Sequence, residues 1–215
     1  VLGDTIVVPY NDAEALERAL SNNDVACFIV EPVMENIGIC KPLPGYLEAV
    51  REITQRHGTL LIFDEVKTGI TAGWGGATGV LGVQPDLIAL AKSIGGGFPI
   101  GAFGGKAKFL DMFDTSPESA LPSPVAHGGT FNNNLSSMTA GCVVLGEIFT
   151  SEVAVAHTAR GDEFRNALQA VAAKSGAPVS VTGFGSMMSI HALAAPPHNA
   201  DDMMKRDAQL QELLF

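Results

Sequence analysis

Two carboxylates and a lysine stand where apolar segments end, and they are the residues of this sequence best suited to chemistry. Asp64 and Glu65 close the run LLIFDEV, and Lys92 follows DLIALA and precedes the glycine-rich SIGGGFPIGAFGG. We expect burial at a strand end to favour the uncharged amine of Lys92, which is a nucleophile toward aldehydes. A carboxylate at a neighbouring strand end is suited to a cationic ligand atom.

Pyridoxal phosphate is a ligand that requires this pair. A lysine forms the aldimine with its aldehyde, and a carboxylate keeps its ring nitrogen protonated so that the ring accepts electrons from a substrate carbanion. Structural alternatives remain open for both residues. A lysine at a strand end is commonly a solvated surface residue, and Asp64 is as readily a helix cap or an ion-pair partner of Lys67 or Lys92.

Two glycine-containing segments are ambiguous on their own. Glycine-rich stretches such as GGGFPIGAFGG bind phosphates in many folds and also make ordinary turns. In HGGTFNNN, the Thr130 hydroxyl and the backbone amides are suited to a phosphate, or the segment is the polar start of a helix capped by Asn134. The histidines show no metal pattern. The three cysteines form no CxxC pair, which indicates reduced, buried thiols and neither a disulfide framework nor zinc.

Predicted helices and strands alternate along the first part of the chain, and they must position these residues. NDAEALERAL, with Asn11 as N-cap, and PGYLEAVREITQRHG have helical apolar stripes, while VACFIVEP and TLLIFDEV are apolar throughout and predict strands. This alternation predicts an α/β domain whose sheet is covered on both faces. Ligands of such sheets gather at the carboxyl ends of the strands, where Glu31, Asp64 and Lys92 lie.

Long helical patterns follow HGGTFNNN and change the character of the chain. A single strand, VSVTGFGSMMSIHAL, comes after them, and the last segment, ADDMMKRDAQLQELLF, is again helical. We place a domain boundary near residue 150. Both termini look like cuts, because the chain starts close to a strand-like run and finishes on the apolar LQELLF without a cap.

Composition narrows the class of protein. The chain has 215 residues, of which 47% are apolar, enough for a substantial core. A formal net charge of −10 without a Lys/Arg cluster argues against a nucleic-acid surface. No uninterrupted apolar run reaches membrane-spanning length and no signal peptide is visible, so we predict a cytoplasmic protein without a membrane partner.

Four segments together resemble a known family. EPV, GTLLIFDEVKTG, GVQPDLIALAKSIGGGFPIGAFGG and HGGTFNNN are similar to the class III pyridoxal-phosphate aminotransferases, particularly the branch with glutamate-1-semialdehyde 2,1-aminomutase and the β-amino-acid aminotransferases. The separation of acid and lysine, 92 − 64 = 28 residues, is that of the family pattern. One departure is KTGITAGWGG where many relatives have MTGFR, which puts Thr71 where an arginine often stands.

The resemblance implies a fold and a domain organisation. The fold is the aspartate-aminotransferase type (fold type I), with a large α/β domain around a mostly parallel sheet and a smaller α/β C-terminal domain. Residues 1–150 would be the second half of the large cofactor-binding domain, and residues 151–215 the incomplete start of the small one. Family members are about twice as long, so the chain looks like a partial sequence.

The resemblance also implies roles for four residues. Lys92 would form the internal aldimine and move protons, and Asp64 would bind the pyridine nitrogen. Val66 would pack against the ring, and Thr130 would reach the cofactor phosphate of the neighbouring subunit in a homodimer with shared sites. No metal is expected, since the histidines show no metal pattern and the cysteines form no CxxC pair.

Three functions follow from this resemblance. The first is transfer of an amino group between an amino acid and a keto acid or aldehyde, both small molecules. The second is the intramolecular reaction of the aminomutase, which uses the same residues. The third is a truncated, non-catalytic paralogue that acts only through dimerisation.

Overall fold

A four-stranded sheet forms the centre of the chain, in the order β1, β2, β3, β4. The computed structural model describes residues 2–116 and 124–214. The first three strands are parallel and β4 is antiparallel to β3. The strands are β1 (Cys27–Val30), β2 (Leu60–Asp64), β3 (Leu87–Ala91) and β4 (Gly101–Gly105). The fold is therefore α/β with a mostly parallel sheet, as predicted.

Helices connect and flank these strands. They are α1 (Ala13–Leu20), α2 (Tyr46–Arg56), α3 (Thr68–Thr71), α4 (Gly76–Leu81), α5 (Ala107–Leu110), α6 (Leu135–Val143), α7 (Ser151–Ser175), α8 (Ala200–Met203) and α9 (Ala208–Leu214). A 3₁₀ turn, Lys92–Gly95, follows β3, and a π-helical segment, Val144–Ile148, continues α6.

Helix α2 packs on the sheet through the stripe that its sequence predicts. Leu47, Val50 and Ile53 recur at helical spacing, and all three are buried in the same cluster as Leu61 and Phe63 of β2. Burial of apolar side chains is the main stabilising contribution in such a layer. This contact fixes β2, and with it the position of Asp64 at the strand end.

The start of α1 differs from the prediction by one residue. Asp12, not Asn11, is the N-cap, and its Oδ1 accepts a hydrogen bond from the backbone N–H of Ala15 at 2.8 Å. Asn11 has a positive φ of 65°, which asparagine tolerates. Its side chain is used elsewhere, because its Oδ1 accepts from Leu43 N at 2.8 Å.

The sheet is less covered than its sequence predicts. In β1, Cys27 is exposed and Ile29 is 60% exposed, so this strand is an edge with one open face among the described residues. The prediction that the cysteine thiols are buried is likewise right only for Cys40, since Cys27 and Cys142 are exposed. The continuous apolar pattern therefore indicates more covering surface than this chain itself provides.

A second, smaller sheet follows α7. The segment predicted as a single strand is a hairpin of β5 (Ser180–Phe184) and β6 (Met187–His191), which pair antiparallel. Gly185 in the turn has a φ of +58°, a conformation that favours glycine. Helix α7 begins at the N-cap Thr150 and ends before Gly176, in agreement with the predicted stop.

A helix that crosses a membrane must be both long and apolar. Among the described residues, no single helix is long and apolar enough to cross a membrane. The pair Leu135–Ile148 and Ser151–Ser175 meets the criterion together by length and composition only, with a bend of 82° between its parts.

Candidate active site

The ends of the three parallel strands and the β5–β6 hairpin surround one cavity of about 450 Å³. Each strand end contributes a loop to its wall, which agrees with the rule for ligand sites in open α/β sheets. The hairpin closes another side because the backbone oxygen of Thr71 accepts from Ser186 N at 2.9 Å. The cavity is lined by Glu35, Gly38, Ile39, Val66, Lys67, Thr71, Lys92, Ser93, Met187, Met188 and Ser189.

Lys92 lies in this cavity directly after the last residue of β3. Its backbone has a positive φ of 55°, which is uncommon for a residue with a side chain and turns the chain out of the strand. Lys92 is exposed, so the expectation that it is buried is wrong for this chain, whose cavity is open beside it. Within residues 2–116 and 124–214 its ammonium forms no hydrogen bond or salt bridge.

Asp64 is the last residue of β2 and lies beside Ala89 of β3 in the parallel register. Its Oδ1 accepts a hydrogen bond from the backbone N–H of Val66 at 3.0 Å, and no ion pair joins it to Lys67 or Lys92. This bond turns the chain after the strand, so that Val66 lines the cavity. Asp64 itself is half-buried and is not among the residues that line the cavity.

Glu65, the second acid of the pair, is structural. It is 1% exposed, and its oxygens accept from the backbone N–H groups of Ala77 at 2.6 Å and Thr78 at 2.8 Å. It thereby holds the first turn of α4, whose unpaired N–H groups favour a negative charge. Gly76 is required beside it, because a Cβ there would collide with the Glu65 carboxylate.

The loop around Trp74 is held by a second contact, between two aromatic rings. The Trp74 ring stacks on Phe149 with the ring centroids 6.1 Å apart, which ties the loop to the start of α7.

The glycines after Lys92 allow close packing of the 3₁₀ turn against α6. A Cβ on Gly96 would lie 3.0 Å from the backbone oxygen of Ala140, and a Cβ on Gly141 would lie 2.8 Å from that of Ile94. Ser137 of α6 donates to the backbone oxygen of Pro99 at 2.7 Å. The glycine-rich stretch therefore positions Lys92 against a helix. Its last part forms β4, which the sequence analysis did not predict.

Thr130 lies outside this cavity, in an exposed turn before α6. Asn134 caps that helix, since its Oδ1 accepts from Ser137 N at 3.2 Å, as the structural alternative for this segment predicts. A role of Thr130 toward a neighbouring subunit stays a prediction.

Two other lysines compete with Lys92 as reactive amines. Lys67 also lines the cavity, but its Nζ donates to the Asn36 Oδ1 at 2.7 Å. Lys106 lies at the opposite end of the sheet, where it forms a salt bridge of 2.6 Å with Asp86. Across the described ranges no group of three or more His, Cys, Asp or Glu side chains is arranged to hold a metal ion.

Glu35 is a site residue that the sequence analysis missed. It lines the cavity, and its Oε1 is buried without a hydrogen-bond partner in the described parts of the chain. Burial raises its pKa to about 7, even though Lys67 and Lys92 lower it. No signal in the sequence pointed to it, because it lies five residues beyond the end of β1, in a loop.

The chain matches one protein family along nearly its whole length. The family model described as aminotransferase class-III matches residues 2–210 of the chain. Two curated relatives are a β-phenylalanine transaminase of Variovorax paradoxus, 39% identical over 99% of this chain, and a glutamate-1-semialdehyde 2,1-aminomutase of Staphylococcus aureus, 40% identical over 96%. The chain spans about half of their lengths, 48% and 47% respectively.

Solved structures show the same fold. The β-phenylalanine aminotransferase of Variovorax paradoxus superposes with a TM-score of 0.90 at 38% identity, over 98% of this chain and 48% of its own. A glutamate-1-semialdehyde aminomutase variant of Pseudomonas aeruginosa, in complex with PMP, has a TM-score of 0.85 at 29% identity, over 97% and 47%. These structures confirm fold type I and the predicted cofactor of the family. The chain belongs to the class III aminotransferases.

Proposed function

We propose that this chain is the lysine-bearing part of a pyridoxal-phosphate enzyme that transfers an amino group between an amino acid and a keto acid or aldehyde. The observation that carries the proposal is the position of Lys92, at a strand end in a cavity, next to the strand that ends in Asp64. The homology to transaminases and aminomutases supports it.

The residues present fit the cofactor. The Lys92 amine has no partner among the described residues. Within the described residues, the Asp64 carboxylate accepts one hydrogen bond, from Val66 N. It therefore has acceptor capacity left for a ring N–H. Val66 presents an apolar side chain to the same cavity.

The residues of the site have separate roles in the proposed reaction. When bound, pyridoxal phosphate supplies an electron sink for negative charge on the substrate carbon. Lys92 binds the cofactor covalently through its Nζ and moves a proton at the substrate carbon. Asp64 holds a proton on the ring nitrogen by its charge, and Val66 orients the ring by apolar contact. Thr130 donates to the phosphate of a partner subunit, in a cytoplasmic homodimer.

Borohydride reduction of the cofactor-loaded protein tests the assignment of Lys92. We expect peptide mapping to find the reduced cofactor on Lys92, and to find it still there in a Lys67→Met control. A label on Lys67 or Lys106 would contradict the proposal. Absence of any label, with only free-cofactor absorbance, would favour the non-catalytic alternative.

The same site suits the intramolecular aminomutase reaction, and no observation favours that reaction over transfer between two molecules. Incubation with an amino donor separates the two, because only the intermolecular reaction releases a distinct keto product.

A further inference from the structure

The turn of the β5–β6 hairpin is held by an arginine of helix α7. The Nη1 of Arg165 donates to the backbone oxygen of Gly185 at 2.7 Å and to that of Met187 at 2.8 Å. The Arg165 side chain is only 12% exposed, so its guanidinium has little water around it. A charge in such a place is costly without hydrogen bonds, and these two bonds therefore fix the turn and the side chain together.

Two glycines make room for this contact. A Cβ on Gly183 would collide with the Cδ of Arg165, and a Cβ on Gly161 of α7 would collide with the backbone oxygen of Gly185. Asp162, three residues before Arg165 on the same helix, forms an ion pair with its Nη2 and is itself exposed. The guanidinium thus lies between α7 and the hairpin turn, and its charge is compensated on the solvent side.

The same turn is joined to the wall of the Lys92 cavity. The backbone oxygen of Thr71 accepts from the Ser186 N–H at 2.9 Å and from the Ser186 hydroxyl at 3.1 Å. Thr71 and Met187 both line the cavity, and the Thr71 Oγ1 lies 2.9 Å from the Met187 Sδ. Arg165 is not among the lining residues, so it acts on the cavity only through the turn that it holds.

We propose that Arg165 is a positioning residue for the proposed reaction, because it keeps Met187 at the cavity wall, where this side chain confines the substrate. The inference rests on the proposed function and concerns the part of the substrate that lies beyond the cofactor ring. A cavity whose wall is formed in only a fraction of the molecules binds its ligand less tightly by that fraction. A fixed wall also holds the substrate in a reactive orientation toward Lys92.

Hydrogen exchange of the protein without cofactor tests the contact between Arg165 and the turn. Arg165→Met keeps an unbranched side chain but removes both donated bonds. We expect the peptide that contains Ser186 to exchange about 10- to 100-fold faster, the range for hydrogen bonds from a charged group, while the peptide of β2 is unchanged. Arg165→Lys keeps a positive donor on a shorter side chain and should restore part of the protection. Arg160→Met, the same change at an exposed position of α7, should leave this turn unchanged.

Two ligands that need no turnover test the role toward the substrate. Pyridoxamine phosphate is the cofactor part alone, and phosphopyridoxyl-leucine is a stable secondary amine that adds an amino acid to it. By calorimetry, Arg165→Met should bind phosphopyridoxyl-leucine about 5- to 20-fold more weakly than the parent protein, and pyridoxamine phosphate within about twofold of it. Arg165→Lys should recover part of this difference. A role in stability alone would weaken both ligands equally or neither.

The proposal is overturned if exchange at the turn is unchanged in Arg165→Met, if β2 loses protection equally, or if both ligands weaken by the same factor. Should Arg165→Met not fold, the same comparison is made with Arg165→Lys, and a turn as protected as in the parent protein would then contradict the need for the arginine. A label on Lys92 together with an unchanged turn overturns only the role of Arg165. A parent protein that binds neither ligand and gives no label on Lys92 overturns the proposed function, and with it the role toward the substrate.

Discussion

Adjacent acids at the end of β2 have different roles because their side chains leave the backbone in different directions. Asp64 is the last residue of the strand, and a single bond from Val66 N leaves its carboxylate with further acceptor capacity. Glu65 is buried and fully engaged with Thr68, Ala77 and Thr78. One acid is therefore free for a ligand while the other fixes the loop beside it.

Replacement of Asp64 by asparagine should separate its charge from its structural bond. The amide oxygen still accepts from Val66 N, so we expect the fold and part of the cofactor binding to remain. Turnover should fall about 10²- to 10³-fold, the range for loss of one preorganised electrostatic contact, because an amide cannot hold a proton on the ring nitrogen by charge. Steady-state kinetics measures this. Activity within a few-fold of the parent would show a purely structural Asp64.

Hydrogen bonds to Asp86 connect β2, α2 and the end of β4. It accepts from Arg51 at 2.9 Å, from Lys106 at 2.6 Å and from the backbone N–H of Leu61 at 2.9 Å. It stands at the opposite end of the sheet from Lys92, since it precedes β3. This cluster therefore supports the layers without taking part in the cavity.

Asp86 should make stability fall in acid. Burial by itself raises its pKa, but hydrogen bonds from Lys106, Leu61 N and Arg51 lower it from 3.8 to about 2. A folded-state pKa below the unfolded value gives stability that is present above about pH 4 and is lost as pH falls toward 2. Urea unfolding across this pH range should show a smaller loss of unfolding free energy for Asp86→Asn than for the parent protein. Identical slopes would contradict the assignment.

The predictable elements are those whose pattern depends on their own residues. The helical periodicity of its apolar residues predicts α2, and a continuous apolar run predicts β2. The Asp64–Lys92 pair could be predicted because both residues stand at the ends of apolar strands. Strand β4 was missed because three of its five residues are glycine and it is defined by pairing with β3. Glu35 was missed because it lies in the loop after β1, and that loop is held by a hairpin more than 140 residues away in sequence, through the Gly38–Thr182 bond.

For the whole molecule, the open face of β1 and the exposed turn of Thr130 both leave surface that this chain does not cover. An obligate symmetric dimer with sites built from two subunits would use such surface. The exposed Phe131, next to Thr130, is 84% accessible, which suits a position against another chain. The proposed shared site has a direct test.

Subunit mixing should restore activity from two impaired variants. Thr130→Val removes a phosphate hydrogen bond and should weaken cofactor retention by about 1.5–3 kcal/mol, and Lys92→Ala removes the reactive amine. A mixed dimer of the two has both lesions in one site and leaves the other site intact. We therefore expect activity to reappear on mixing. No recovery, together with cofactor occupancy that is unchanged on dilution, would rule out the shared site.

The hairpin that closes the cavity has a consequence for biosynthesis. Met187 is 187 − 92 = 95 residues downstream of Lys92 and shares its cavity. At 5–20 residues per second, the ribosome needs roughly 5–20 s to make that stretch after Lys92. Throughout this interval Lys92 belongs to a nascent chain whose pocket has no hairpin wall, so the complete cavity forms only after the hairpin has been synthesised.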